Sequence, residues 1–314
     1  MKSYDVIILG GGPAGLTAGI YLARARQKVL ILDQGTVGGQ VMLTHAVANY
    51  PGLPELSGYK LASEMRKQAV EFGCEVLANQ KIDSFHFKGE EKIVTAGGTR
   101  YTGSAVIIAV GGQPRKLGIE SEKKFQGLGI SYCATCDGDF FTGEDIVVVG
   151  GGNSALEEAV SLTAYAKSAT VVHQFDHFQA YAYAVKAAQE NPKISFLMES
   201  EVVEFIGEEN LSGVRVRNKK DGTVTDVKAT GAFIFIGYSP RSEMFEGCVS
   251  LNTGKEILTA EDMSTNVPGV FAAGDVRQKR FRQITTAVSD GTIAALSVMD
   301  YLSSKDKVYP DSGR

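Results

Sequence analysis

The sequence predicts an α/β protein of two doubly wound, three-layer lobes, the second inserted in the first. Three observations carry this. A buried strand running into a glycine turn and then a helix occurs twice, at "DVIILGGGPAG" and at "DIVVVGGGNSALEEA". A third strand and turn, "NVPGVFAAGDV" at residues 266 to 276, comes near the end of the chain, ahead of a long helical stretch. Two charged, Gly- or Pro-containing crossings bracket the second glycine turn: "GGQPRKLGIESEKK" near residue 114 and "FIGYSPRSEMF" near 240. The expected lobes are therefore 1–113 with 245–314, and 114–244. A chain that crosses twice between lobes permits hinge motion.

The totals agree with this plan. The 314 residues suffice for about two ordinary domains. Apolar content of 44% and charged content of 22% are ordinary for a globular chain. With 32 basic against 36 acidic residues the net charge is −4, which argues against a nucleic-acid protein. No apolar run approaches the ~18 residues of a membrane span, and the N-terminus reads as a first strand, so a cytoplasmic enzyme is expected.

The first unit begins with a short apolar strand and then Gly10-x-Gly12-x-x-Gly15. Glycines at this spacing allow a tight turn and close approach of the backbone to a pyrophosphate at a helix N-terminus. Helix and second strand follow, ending at Asp33, which is placed to bond a ribose hydroxyl. This is a Rossmann-like unit. The second unit repeats it with Gly150-x-Gly152-x-x-Ala155, alanine being accepted at the third position. Asp33 follows Gly10 by as many residues as His173 follows Gly150, so His173 holds the ribose-reading position of the second unit. In the third segment, the turn at Gly274 and Asp275 can hold the ribityl and pyrophosphate part of a flavin.

Between the units, "SYCATCDGDF" carries Cys133 and Cys136, with Asp137 next. Such a pair closes a small ring reversibly, and Asp137 can pass a proton to a leaving thiolate. A structural zinc site would need four ligands, and no second Cys-x-x-Cys or His pair lies nearby. Cys74 and Cys248 read as small core hydrophobes. His45, His86 and His177 stand alone, with no role and no metal site expected.

The motifs "GGGPAG", "GGQ" at 38 to 40, "NYPG" at 49 to 52, "CATCDGDFF", "GGGNSALEEA", "FAAGDV" and "RQITTA" together resemble the low-molecular-weight thioredoxin reductases over nearly the whole chain. The resemblance implies a homodimer with FAD in the lobe 1–113 and 245–314, and an inserted lobe that carries the Cys pair and turns between flavin and thioredoxin. Within the matching motifs it implies FAD contacts from Pro13 and Ala14 beside the three glycines, and from Asp33 and Gln34. It implies others from Gly39, Gln40 and Asn49, and from Gly274 and Asp275. Arg282, Gln283 and Ile284 complete the set. Cys136 and Asp137 would lie nearest the flavin.

The departure lies in "HQFDHFQA". NADPH-using members of the family place paired arginines just after the histidine and another after the phenylalanine. Here those positions read Gln174, Phe175 and Gln179. A 2′-phosphate needs cationic, bidentate partners, and none lies in residues 170 to 180, the nearest basic residue after them being Lys186. The chain therefore resembles the subgroup that works without pyridine nucleotide and takes electrons from ferredoxin. "DVRQKRFRQ" places Arg277, Lys279, Arg280 and Arg282 beside the expected flavin site, a basic patch that would steer an acidic ferredoxin. Tyr309 in the tail is a candidate cover for the flavin. Three alternatives stand beside this reading: an NADH-linked reductase of the same architecture, a dithiol oxidase forming hydrogen peroxide, and a non-catalytic flavin-binding scaffold.

Overall fold

The computed structural model describes residues 2–43 and 47–306; Tyr309 and His45 lie outside the described residues. The chain divides into two compact units, one made of residues 1–113 and 239–314, the other of 114–238, inserted in it.

The first unit is built on a five-stranded parallel sheet, in the order Val270–Ala272, Ala105–Ile108, Val6–Leu9, Val29–Leu32, Glu75–Leu77. Four of these strands read as unbroken apolar runs, VFA, AVII, VIIL and VLIL, and all their residues are buried. That pattern suits strands covered on both faces. Helix Pro13–Arg24 packs against helix Ile284–Asp306, with Ile8, Ile31 and Ile107 beneath them. Ile7, Leu9, Leu30 and Val106 face the other core, with Phe87 and Phe245. Each fully buried Ile or Leu contributes roughly 1.5–3 kcal/mol. A smaller four-stranded sheet joins Lys2–Ser3 to Thr99–Gly103, Lys92–Ala96 and Ile82–His86, the last three lying in sequence between Glu75–Leu77 and Ala105–Ile108.

The inserted unit repeats this plan. Its five-stranded parallel sheet has the order Ile130–Ser131, Gly231–Ile234, Asp145–Val149, Ser168–Val172, Ile194–Leu197. A three-stranded antiparallel sheet, Ser200–Gly207, Leu211–Asn218 and Val224–Lys228, follows the edge strand. One edge strand differs in origin between the units: in the first, Val270–Ala272 comes from the far end of the chain; in the second, Ile130–Ser131 comes from just ahead of the glycine-turn strand. That edge strand, Ile130–Ser131, leads directly into the cysteine pair. Among the described residues no helix is long and apolar enough to cross a membrane.

Candidate active site

The carboxyl end of strand Val6–Leu9 opens into the first glycine turn. Gly10 has φ +108°, and a Cβ there would lie 2.2 Å from the Ala109 carbonyl oxygen. A Cβ on Gly15 would lie 1.9 Å from Gly10 O, so helix and turn touch backbone to backbone. Gly12 is different: the nearest heavy atom to a Cβ there is Gly39 Cα, 3.8 Å away. Gly12 caps helix Pro13–Arg24, with Pro13 at its start and no side chain capping it, which leaves first-turn N–H groups for an anion. Asp33 closes the turn: Oδ2 accepts from Gly11 N (2.7 Å) and Oδ1 from Gly35 N (2.8 Å).

The third segment converges on the same place. A Cβ on Gly274 would lie 2.8 Å from the Ala14 Cβ. Ile284 packs against the core beneath, and Gln283 N donates to Thr286 Oγ1 at 3.1 Å. Asp275 Oδ1 is buried with no hydrogen-bond partner among the described residues, and Lys279 Nζ lies 3.9 Å from it. Burial pushes the Asp275 carboxyl up, against the pull of Lys279 and Arg282. A roomy turn at a helix N-terminus and a buried acceptor awaiting a donor fit the pyrophosphate and the hydroxyl-bearing chain of FAD. The remaining predicted contacts are more dispersed. Gln34 Nε2 points to Met244 Sδ (4.0 Å), and Gln40 and Asn49 lie exposed.

The basic patch expected after Asp275 is corrected by the structure. Asp290, buried on helix Ile284–Asp306, holds Arg277 Nη1 at 3.3 Å and Lys279 Nζ at 2.8 Å. Lys279 is only 8% exposed. Arg282 pairs with Glu256. Arg280 alone of the four is exposed, lying over the Phe281 ring at 5.0 Å. Charges committed to Asp290 and Glu256 do not form a docking field. Asp290 was missed because its partners are fixed by tertiary packing; its one sequence signal is an acid in an otherwise apolar helical stretch.

Cys133 and Cys136 form a disulfide, Cα to Cα 5.3 Å. Strand Ile130–Ser131, paired to Ala232 and Phe233, delivers the chain, and a short helix, Ala134–Asp137, follows. Ser131, absent from the sequence-based candidates, sits at the centre. Its Oγ is 2.6 Å from Asp137 Oδ2, and it accepts from Cys133 N at 3.1 Å. Cys133 Sγ lies 3.5 Å from Thr135 Oγ1. Glu122, also missed and only 2% exposed, accepts from Gly118 N (2.8 Å) and Tyr132 OH (2.8 Å). It thereby ties the segment after the first crossing to the residue before Cys133. Of the other cysteines, Cys74 is buried, its thiol pushed up to about 12 by burial, and Cys248 is half-buried.

The second glycine turn copies the first in backbone. A Cβ on Gly150 would meet Phe235 O at 2.4 Å, and on Gly151 the His173 ring at 2.3 Å. His173 is buried, its Nε2 3.0 Å from His177 O, its ring stacked on Phe178. Burial holds its imidazole below the usual value. Gln179 N donates to Gly151 O at 2.8 Å, as Gly38 N does to Gly11 O. Gln174 and Gln179 are exposed. Asp176 pairs with His177 (2.6 Å), and Lys220, remote in sequence, lies near enough to help hold the Asp176 carboxyl below its usual range.

This construction is matched by known proteins. The family described as pyridine nucleotide-disulphide oxidoreductase matches residues 4–291. A Clostridium pasteurianum relative, described as a 34.2 kDa protein in the rubredoxin operon, is 43% identical over 97% of this chain and 99% of its own. A thioredoxin reductase of Bacillus subtilis is 44% identical over 96% of this chain and 95% of its own. The solved thioredoxin reductase of Streptococcus pyogenes superposes with a TM-score of 0.92 at 42% identity, covering 96% of this chain and 99% of that one. The chain belongs to the pyridine nucleotide-disulphide oxidoreductase family.

Proposed function

We propose that the protein is an FAD-dependent thioredoxin reductase whose Cys133–Cys136 disulfide passes electrons to thioredoxin, with a ferredoxin as donor. The observation that carries this reading is the disulfide itself, followed at once by Asp137. When bound, FAD supplies the two-electron chemistry that the side chains lack. Its holders would be the turn Gly10–Gly15 with Pro13 and Ala14, Asp33 and Gln34, and Gly39 and Gln40 with Asn49. From the third segment come Gly274, Asp275 and the run Arg282 to Ile284.

Two electrons break the S–S bond, and Asp137 as an acid protonates one of the two thiolates released. One sulfur then attacks the thioredoxin disulfide. The other displaces it from the mixed disulfide, re-forming Cys133–Cys136 and releasing thioredoxin as a dithiol. We place this cycle in the cytoplasm and in a homodimer, which light scattering would report as twice the 33.5 kDa chain.

The second glycine turn bears on the donor. No guanidinium lies in residues 170 to 180 to grip a 2′-phosphate. The Clostridium pasteurianum relative is described by its place in a rubredoxin operon. With the patch after Asp275 largely neutralised, only Arg280 remains of it to aid docking. A second reading, NADH as donor, is favoured by the intact glycine turn and by Gln174 and Gln179, whose amides can bond ribose hydroxyls. A dithiol oxidase would instead consume oxygen and ignore thioredoxin. The test is anaerobic flavin bleaching on adding NADPH, NADH or reduced ferredoxin separately. Fast bleaching by ferredoxin alone is expected; fast bleaching by NADPH would overturn the donor assignment, and by NADH alone would replace it.

A further inference from the structure

We propose that Ser131 is a positioning residue for Asp137, a hydroxyl relay that serves the acid in both of its protonation states. The proposal rests on the reading of Cys133–Cys136 as the working disulfide.

Ser131 is 4% exposed, and its backbone is fixed by pairing with Phe233 in the sheet. Three polar atoms surround its Oγ: Asp137 Oδ2 at 2.6 Å, Cys133 N at 3.1 Å and Cys133 O at 3.3 Å. A hydroxyl has one proton and two lone pairs. The Cys133 N–H uses one lone pair. The proton then has two acceptors, Asp137 Oδ2 and Cys133 O. When Asp137 is a carboxylate, Ser131 donates to it, at a distance usual for a charge-assisted O–H···O⁻ bond. When Asp137 is protonated, it donates to the second lone pair of Ser131, whose own proton turns to Cys133 O. No heavy atom has to move between the two arrangements.

The consequence is a coupled proton transfer at the disulfide. An external dithiol attacks one sulfur as a thiolate, and the S–S electron pair leaves on the other sulfur. That leaving thiolate takes the proton of Asp137, and Ser131 swings its proton from Cys133 O to the new carboxylate. The dithiol's second thiolate then closes its own ring and releases the first sulfur. The shorter contact is the one to Asp137, so Ser131 as a donor stabilises the carboxylate. Removing the hydroxyl takes that donor away and should shift an Asp137-dependent step to higher pH.

The test uses FAD-loaded protein, without air and without thioredoxin. Disulfide reduction by dithiothreitol is followed by acid quench and thiol counting, and each rate is divided by the dithiothreitol thiolate concentration. The wild type is expected to show a limb that falls as pH rises through the Asp137 pKa, absent in Asp137→Asn. In Ser131→Ala the midpoint of the limb should move to higher pH, and Ser131→Thr should restore it. A general structural lesion would lower the plateau and leave the midpoint in place. Ser131→Thr against Ser131→Val, differing only in the hydroxyl, gives the same comparison if the alanine variant does not fold. An unmoved midpoint in a folded variant lacking the hydroxyl, or a wild-type profile with no Asp137-dependent limb, would overturn the relay. A protein that shows the shift but reduces no thioredoxin would keep the relay and lose the thioredoxin reading.

Discussion

The Asp290 carboxylate and the Gly274 amide are joined by a buried 3.0 Å hydrogen bond. The same carboxylate holds Arg277 and Lys279, so one helical acid fixes the turn that carries Asp275 and two cations beside it. Asp290→Ala should therefore cost up to about 3–5 kcal/mol, since buried Lys279 would lose its 2.8 Å carboxylate and keep only Asp275 at 3.9 Å. Asp290→Asn, which keeps an acceptor for Gly274 N, should cost less. Urea unfolding of both variants checks the order.

Gly15 and Gly12 should respond oppositely to alanine. Gly15→Ala drives a Cβ to 1.9 Å from Gly10 O and should destabilise the fold by about 3 kcal/mol. Gly12→Ala has 3.8 Å of clearance, so unfolding of the flavin-free protein should change by no more than ~0.5 kcal/mol. Its Cβ would stand where the pyrophosphate approaches, and FAD affinity should fall at least about tenfold, or ~1.4 kcal/mol. Equal FAD affinity in Gly12→Ala would remove that turn from the cofactor site.

Arginines grafted at Gln174 and Gln179 should create a 2′-phosphate grip. Each charge-assisted contact is worth ~1.5–3 kcal/mol, so NADPH should bind about tenfold or more tighter, while NADH changes little. Titration by fluorescence quenching gives both constants. Equal gains for the two nucleotides would mean the positions do not face the 2′-phosphate.

His173 should set an acid limit on stability. Burial depresses its folded-state pKa below the unfolded value of about 6.5. The unfolded chain then binds more protons, so the contribution of His173 is complete above pH ~6.5 and is lost as pH falls through the depressed pKa. His173→Asn should flatten that fall. Melting temperatures from pH 8 to 5 provide the check; parallel curves would exclude His173 as the cause.

Much of this was legible in residue order. The glycine turns are announced by apolar runs such as "DVIILG", because parallel strands covered on both faces must be apolar throughout. Asp33 and His173 share a register, and the structure places both against the middle glycine of their turns, Asp33 by a hydrogen bond from Gly11 N and His173 by ring contact at Gly151. What was not legible depends on pairings distant in sequence or on a hydroxyl's surroundings. Arg277 and Lys279 read as free charges until helix Ile284–Asp306 brings Asp290 to them. Lys220 approaches Asp176 only because the hairpin Leu211–Lys228 folds back. Ser131 looks like any strand serine until the helical turn Ala134–Asp137 brings Asp137 to within 2.6 Å of it.

The central claim is that Cys133 and Cys136 carry electrons to thioredoxin. The most direct measurement is a single turnover: FAD-loaded protein, photoreduced without air, is mixed with oxidised thioredoxin, and thioredoxin thiols are counted after acid quench. With photoreduction stopped at two electrons per flavin, about one thioredoxin should be reduced per active site, and none with Cys133→Ser or Cys136→Ser. Thioredoxin left oxidised by the wild type, or reduced equally well by both serine variants, would contradict that claim.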